Sequence, residues 1–198
     1  MNINLVNLVK PITLNNTKKG IWFTSDTHFG HKQVIKYCDR PYNSVKEMDE
    51  ALIENWNSRV KPNDLVFHLG DFAMASKDRW KNLLSSLNGQ KYLVLGNHDS
   101  VCWPGNYVMS MFKQVALKMV LSIDGRIVYL DHYPYLCYAG TYNNSNIIQL
   151  FGHVHSGPRQ VTGADNERLQ YLFPNQYDVG VDNNNYAPVS YQEILSKL

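Results

Sequence analysis

The 198-residue chain is poor in cysteine, with only Cys38, Cys102 and Cys137. Their odd number and spacing match neither a disulfide framework nor a metal finger, so free thiols that pack as small apolar groups are expected. No apolar run approaches the roughly 18 residues of a membrane span, and no membrane partner is expected. An excess of one charge is also missing. Nineteen basic and seventeen acidic residues give a formal net charge of +2, too weak for long-range capture of nucleic acid, and no block of like charges marks an arm or tail. Residues 1–10 lack both the basic start and the unbroken apolar stretch of a secretory leader, which points to a cytoplasmic protein. Repeats and low-complexity tracts are absent. The Asn-rich stretches 142–146 and 182–185 read as loops.

What is present is a globular composition, 44% hydrophobic and 18% charged, at a length that suits one domain over residues 1–198. Residues 1–19 are either an edge strand or an N-terminal extension. Residues 21–25 form a short apolar run that empties into Asp26-Thr27-His28-Phe29-Gly30-His31, a strand followed by a loop. Ser44 and Glu47 make a capping-box pattern, and Val45, Met48, Leu52, Trp56 and Val60 recur at helical spacing until Pro62-Asn63-Asp64. Residues 65–69 read as a strand ending at Gly70-Asp71. Trp80, Leu83, Leu84 and Leu87 mark a second helix stopped at Asn88-Gly89, and residues 91–95 a strand running into Gly96-Asn97-His98-Asp99. This alternation implies a parallel or mixed sheet covered by helices. Residues 115–123 and 126–130 flank Asp124-Gly125, a pair suited to a two-residue hairpin, so the second half is expected to turn antiparallel. Residues 147–151 end at Gly152-His153-Val154-His155, and Ser190 with Glu193 caps a short C-terminal helix. The expected class is a layered α/β domain.

Seven histidines are present, and five sit where a strand reading meets a loop, beside Gly, Asp or Asn. A lone histidine on an apolar face is ordinarily a core residue; clustering at strand ends favours a shared site. In Asp26-x-His28 and His153-x-His155 the paired residues are two apart, which in an extended chain directs both to one side. Aspartate oxygen, imidazole nitrogen and asparagine carbonyl suit two divalent first-row cations such as manganese, iron, zinc, cobalt or nickel, whereas calcium would want mostly oxygen. One carboxylate can bridge two such ions roughly 3.5 to 4 Å apart, which together hold an attacking hydroxide and the phosphoryl oxygens.

Asp26-x-His28, Gly70-Asp71, Gly96-Asn97-His98-Asp99, His132 and Gly152-His153-x-His155 resemble, in order, the five motifs of the calcineurin-like metallophosphoesterases. The likeness covers residues 21–155, and 178–185 is similar to the end of small bacterial and phage members. It implies a sandwich of mixed β-sheets flanked by helices. It further implies that Asp26, His28 and His155 bind one metal, Asn97, His132 and His153 the other, and that Asp71 bridges them. His98 would donate a hydrogen bond or proton to the leaving oxygen with Asp99 orienting its ring, and a metal-bridging hydroxide would be the nucleophile. The implied activity is hydrolysis of a phosphate ester, with a nucleotide-sized phosphodiester favoured because short spacers leave little room for a large cap.

His68, inside a strand, is expected in the core or behind the ligands. His31 and Arg40 are candidate substrate contacts, although Arg40-Pro41 also reads as an ordinary exposed loop. Asp131 stands where the resemblance expects a small residue and could support or perturb the neighbouring metal. Tyr133, Tyr135, Tyr138 and Tyr142 could stack a base or simply pack loops. A small phosphate ester or nucleotide is the expected partner; nucleic acid stays open without support from charge, as does the oligomeric state. Two alternatives are an inactive interaction scaffold of the same fold, which a missing ligand or His98 would favour, and a nuclease acting on nucleic-acid ends, which a basic groove would favour.

Overall fold

A computed structural model of the protein describes residues 11–15, 17–138, 146–159, 167 and 169–198. Strands β1 (Ile12–Leu14) and β2 (Ile21–Thr24) open the described chain, followed by helices α1 (Lys32–Tyr37) and α2 (Val45–Arg59). Next come β3 (Leu65–His68), α3 (Lys77–Ser86), β4 (Gln90–Val94), α4 (Asn97–Val101), α5 (Asn106–Met109) and β5 (Gln114–Ala116). The second half holds β6 (Lys118–Ile123), β7 (Arg126–Asp131), β8 (Ile147–Phe151), β9 (Gln176–Asp178), β10 (Val189–Ser190) and α6 (Tyr191–Leu195). One sheet has the order β10-β2-β3-β4-β5 and the other β1-β6-β7-β8-β9. Among the described residues no helix is long and apolar enough to cross a membrane.

Both faces of the first sheet are covered, which is why β3 reads as an unbroken apolar run with all four residues buried. Val66 packs with Met48, Leu52, Trp56, Trp80 and Leu83 of the helices. Leu65 and Phe67 turn the other way, to meet Leu121, Val128, Leu130 and Leu150 of the second sheet. The layers therefore run helices, sheet, sheet. The Ser44 hydroxyl accepts from Glu47 N–H at 3.1 Å, while the Glu47 carboxylate accepts from Asn43 N–H at 2.8 Å, one residue earlier than a strict capping box. The Ser190–Glu193 box is complete.

Two expectations are corrected. Residues 115–123 are not one strand: β5 pairs with β4 in the helix-covered sheet and β6 with β7 in the other. The chain changes sheets at Leu117, 75% exposed. Apolar alternation runs through both pieces, so periodicity hides the break. Nor is the second half antiparallel throughout. The hairpin at Asp124-Gly125 forms, with φ of 47° and 83° as a tight mirror-image turn requires. The β1–β6, β7–β8 and β8–β9 pairs are parallel. The loops following β2, β3, β4, β7 and β8 meet at one rim, and that rim carries the histidines.

Candidate metal centre

The loops that leave the strands are tied to one another before they present any side chain. Asp26 N–H donates to the Gly70 carbonyl and His28 N–H to that of Asp71, both at 3.0 Å, so pairing continues past β2 and β3. Asp26, His28, Asp71, His153 and His155 all adopt left-handed backbone, with φ of 57°, 50°, 57°, 70° and 48°. That conformation costs a non-glycine residue roughly 1–2 kcal/mol, and clusters of it mark functional sites. These turns, and not strand alternation, bring Asp26 and His28 together with His155, whereas His153 joins Asp71 and His132 in a second group. Gly96 and Gly152 permit close approach: an added Cβ would lie 2.2 Å from Asp71 Oδ1 and 2.1 Å from Ser25 Oγ, respectively.

Two groups of donors result. Asp26 Oδ1 lies 4.0 Å from His28 Nε2 and 3.8 Å from His155 Nε2. His132 Nε2 lies 3.0 Å from Asn97 Oδ1, 3.2 Å from His153 Nδ1 and 3.6 Å from Asp71 Oδ2. Asp71 Oδ2 is also 3.5 Å from His28 Nε2, so a single oxygen touches both groups. Ligands about 2.1 Å from a shared ion sit about 3.0–3.4 Å apart in octahedral or tetrahedral geometry, close to these spacings.

The donor set fits a cation. Asp26 Oδ1 and His28 Nε2 are buried with no hydrogen-bond partner, a costly state unless something positive lies between them. His132 Nδ1 donates to the Leu69 carbonyl at 2.8 Å, which leaves a lone pair on Nε2 facing the Asn97 carbonyl oxygen, another acceptor. Charge repulsion tells the same story. Burial, with the Asp26 charge beside it, pushes the Asp71 carboxyl up to about 6. Burial, the neighbouring rings of His155, His31 and His98, and the Arg40 charge hold His28 well below its ordinary value. Burial would lower His155 too, but the Asp26 and Asp182 carboxylates outweigh it and raise it well above its ordinary value.

Behind the donors lies a second set of contacts. His155 Nδ1 donates to Asp182 Oδ2 at 2.8 Å, fixing Nε2 toward Asp26. Arg40 grips the same carboxylate with two 2.8 Å bonds. Its other donors reach the Asp26 carbonyl at 2.6 Å, the Thr27 carbonyl at 3.0 Å and Met48 Sδ at 3.5 Å. Arg40 is 3% exposed, so it is neither the substrate contact nor the exposed loop residue that its sequence setting suggests. The sequence reading did not single out Asp182 as a site residue; its partner Arg40 lies 142 positions away, a separation no local spacing reveals. The Asp99 carboxylate accepts N–H groups of Asp71, Phe72 and Gly96 at 2.8–2.9 Å. It thus holds the backbone of two motifs and does not meet the His98 ring as expected. His68 is buried, bonds Thr27 Oγ1 at 2.9 Å and is held neutral by burial, its pKa lowered to about 3.

On the open side, the His98 side chain is 38% exposed, with Nε2 3.9 Å from Asp71 Oδ2, while its N–H donates to Asp71 Oδ1 at 2.8 Å. The half-buried His31 has Nδ1 3.1 Å from His28 Nδ1 and its ring 5.9 Å from that of His98. Asp131 turns away: its carboxylate accepts from Tyr133 N–H and Tyr135 O–H. Tyr138 packs on Phe173 and bonds the Asn175 carbonyl, and Tyr142 lies outside the described residues. Tyr133 is the tyrosine of that group brought to the ligands, its ring 4.6 Å from His153 and 4.9 Å from His132.

Comparison with known proteins shows what this chain is similar to. A family model described as Calcineurin-like phosphoesterase matches residues 20–189. The uncharacterized protein MJ1445 of Methanocaldococcus jannaschii is 37% identical over 132 residues, covering 59% of this chain and 74% of that protein. The Gene 66 protein of Mycobacterium phage D29 is 29% identical over 190 residues, covering 82% and 87%. The crystal structure of the protein of unknown function AQ665 from Aquifex aeolicus shares the fold, with a TM-score of 0.67 at 24% identity over 91% of this chain and 100% of that one. Both donor groups fall inside the matched span, and the chain belongs to the calcineurin-like phosphoesterase family.

Proposed function

We propose that the protein hydrolyses a phosphodiester of nucleotide size at a site holding two divalent first-row cations. Asp26, His28 and His155 would hold one, Asn97, His132 and His153 the other, and Asp71 would bridge them. The observation that carries this reading is the Asp71 Oδ2 atom, 3.5 Å from His28 Nε2 and 3.6 Å from His132 Nε2, an oxygen shared by both groups. When bound, two cations lower the pKa of water to supply the nucleophile and offset charge growing on the phosphoryl oxygens.

The chain's own residues do the rest. His98 projects from the N-terminal turn of α4 on the open side of Asp71, where its ring can donate to the leaving oxygen. Asp99 acts one step behind, locking the Asp71 and Gly96 backbones together. His31 adds a ring at the rim beside His98. A diester suits the site better than a monoester dianion because every Arg40 donor is already committed, so that guanidinium is closed to a second negative charge.

A hydrolysis panel with manganese or nickel present tests the reading. It compares 3′,5′-cyclic, 2′,3′-cyclic and linear dinucleotide diesters with a nucleoside monophosphate. Faster turnover of at least one diester than of the monoester is expected. Turnover of the monoester alone would overturn the diester assignment, and no turnover by fully metal-loaded protein would favour a scaffold.

A further inference from the structure

We infer that an apolar pocket beside His153 receives the aromatic ring of the substrate, so that the protein selects a nucleoside-bearing phosphate by its base while the metal centre takes the phosphate. The inference rests on the phosphoesterase reading of that centre. The pocket has a volume of about 400 Å³, with Pro134, Leu136, Leu169 and Leu172 in its walls, and Tyr133 and His153 also line it. That volume falls in the range of about 300–1,000 Å³ typical of small-molecule sites.

Three observations favour a ring over other occupants. First, the pocket is continuous with the metal centre: His153 belongs to both, and Tyr133 lies against His153 and His132 with its hydroxyl 3.4 Å from Asn97 Oδ1. A group joined to a phosphate at the ligands would enter past these two rings, whose faces suit another flat π-system. Second, among the described residues the lining has no lysine, arginine, aspartate or glutamate. A further phosphate, as in a polynucleotide track, would find no cation among these residues, whereas an uncharged base can lay its face against the apolar side chains while its polar edge stays toward water. Third, Leu136 and Tyr171 at its edge are 75% and 68% exposed, and large exposed apolar groups at a pocket mouth mark surface that a ligand covers. Among the described lining residues few polar groups are placed to read base edges, so purines and pyrimidines should both be accepted.

Calorimetric binding to the manganese-loaded protein tests this with AMP, CMP, ribose 5-phosphate and hexyl phosphate as probes. Ribose 5-phosphate carries the phosphate and sugar without the ring. Both nucleotides should bind about tenfold or more tightly than ribose 5-phosphate, the scale of one stacked base, and more tightly than hexyl phosphate. In Leu136→Asp and Leu172→Asp that advantage should fall to about threefold or less, with metal content and ribose 5-phosphate affinity unchanged. Because Leu136 is exposed, its replacement leaves the core intact. Equal wild-type affinities with and without the ring would overturn the inference, as would an advantage kept by both variants, or hexyl phosphate matching the nucleotides. Failure of every phosphate, ribose 5-phosphate included, to bind the loaded protein would instead overturn the phosphoesterase reading and the pocket with it.

Discussion

Replacing Arg40 with Met separates a buried clamp from a substrate contact. Arg40 makes two 2.8 Å bonds to Asp182 and supplies donors to the Asp26 and Thr27 carbonyls. Its loss strands a carboxylate that is 7% exposed. Breaking one side of a buried pair costs about 3–5 kcal/mol, and the two carbonyls add to that without summing fully. A net loss of about 4 kcal/mol is expected, which at about 2–4 °C per kcal/mol for a chain of this size lowers Tm by about 8–16 °C. Asp182 bonds His155, so affinity for a metal at the Asp26, His28 and His155 group should also fall about 10- to 100-fold. Urea denaturation followed by circular dichroism measures the first effect and metal titration the second. The Arg40→Met/Asp182→Leu double variant should be more stable than the sum of the single changes predicts, by about 2 kcal/mol or more, because no charge is left unpaired. KM of the metal-saturated variant should stay near wild type. A stability loss under about 1 kcal/mol, or a raised KM with unchanged metal affinity, would refute this reasoning.

Other predictions follow from single contacts. His98→Ala should keep its metal, measured by plasma mass spectrometry, while turnover falls about 100-fold or more; an undiminished rate would exclude a role for that ring. His68 is held neutral, its pKa lowered from 6.5 to about 3, so between those values the unfolded chain binds a proton that the folded protein refuses. Stability that is full above pH 6.5 is therefore lost as pH falls toward 3, by about 1.4 kcal/mol per pH unit from this residue. Between pH 6.5 and 4.5, wild type should lose about 2 kcal/mol more than His68→Gln in urea denaturation; parallel losses would contradict the burial argument. Gly152→Ala would place a methyl 2.3 Å from Asp26 Oδ2. Its metal content should drop, with a stability cost of about 1–3 kcal/mol, and a fully loaded, equally stable variant would show that the loop yields freely.

The candidate site was legible in sequence because its donor residues sit at strand ends, where short motifs record chemistry and local geometry together. Gly-Asn-His-Asp and Gly-His-x-His carry glycines where Asp71 and Asp26 crowd the backbone, so the letters reflect packing as well as the donor groups. Strand-helix alternation likewise announced β2 to β4 with α2 and α3. What escaped were features set by distant contacts. Leu117 looks like a strand residue, and only its two neighbouring strands' different partners make it a crossing point. Arg40 looks exposed beside Pro41, yet Asp182 buries it. Asp99 follows His98 directly, but the helical turn of α4 aims its carboxylate at the backbone amides of Gly96 and Asp71. Convergence of Asp26 with His28 was foreseen for a reason that does not apply, since left-handed turns bring the pair together where an extended strand was assumed.

The central claim is that Asp71 stands between two cations, and anomalous diffraction from crystals of the manganese-loaded protein tests it most directly. Two peaks about 3.5–4 Å apart are expected, one beside Asp26, His28 and His155 and the other beside Asn97, His132 and His153, with Asp71 Oδ2 between them. A single peak, or peaks that leave Asp71 outside the coordination of either ion, would contradict the account.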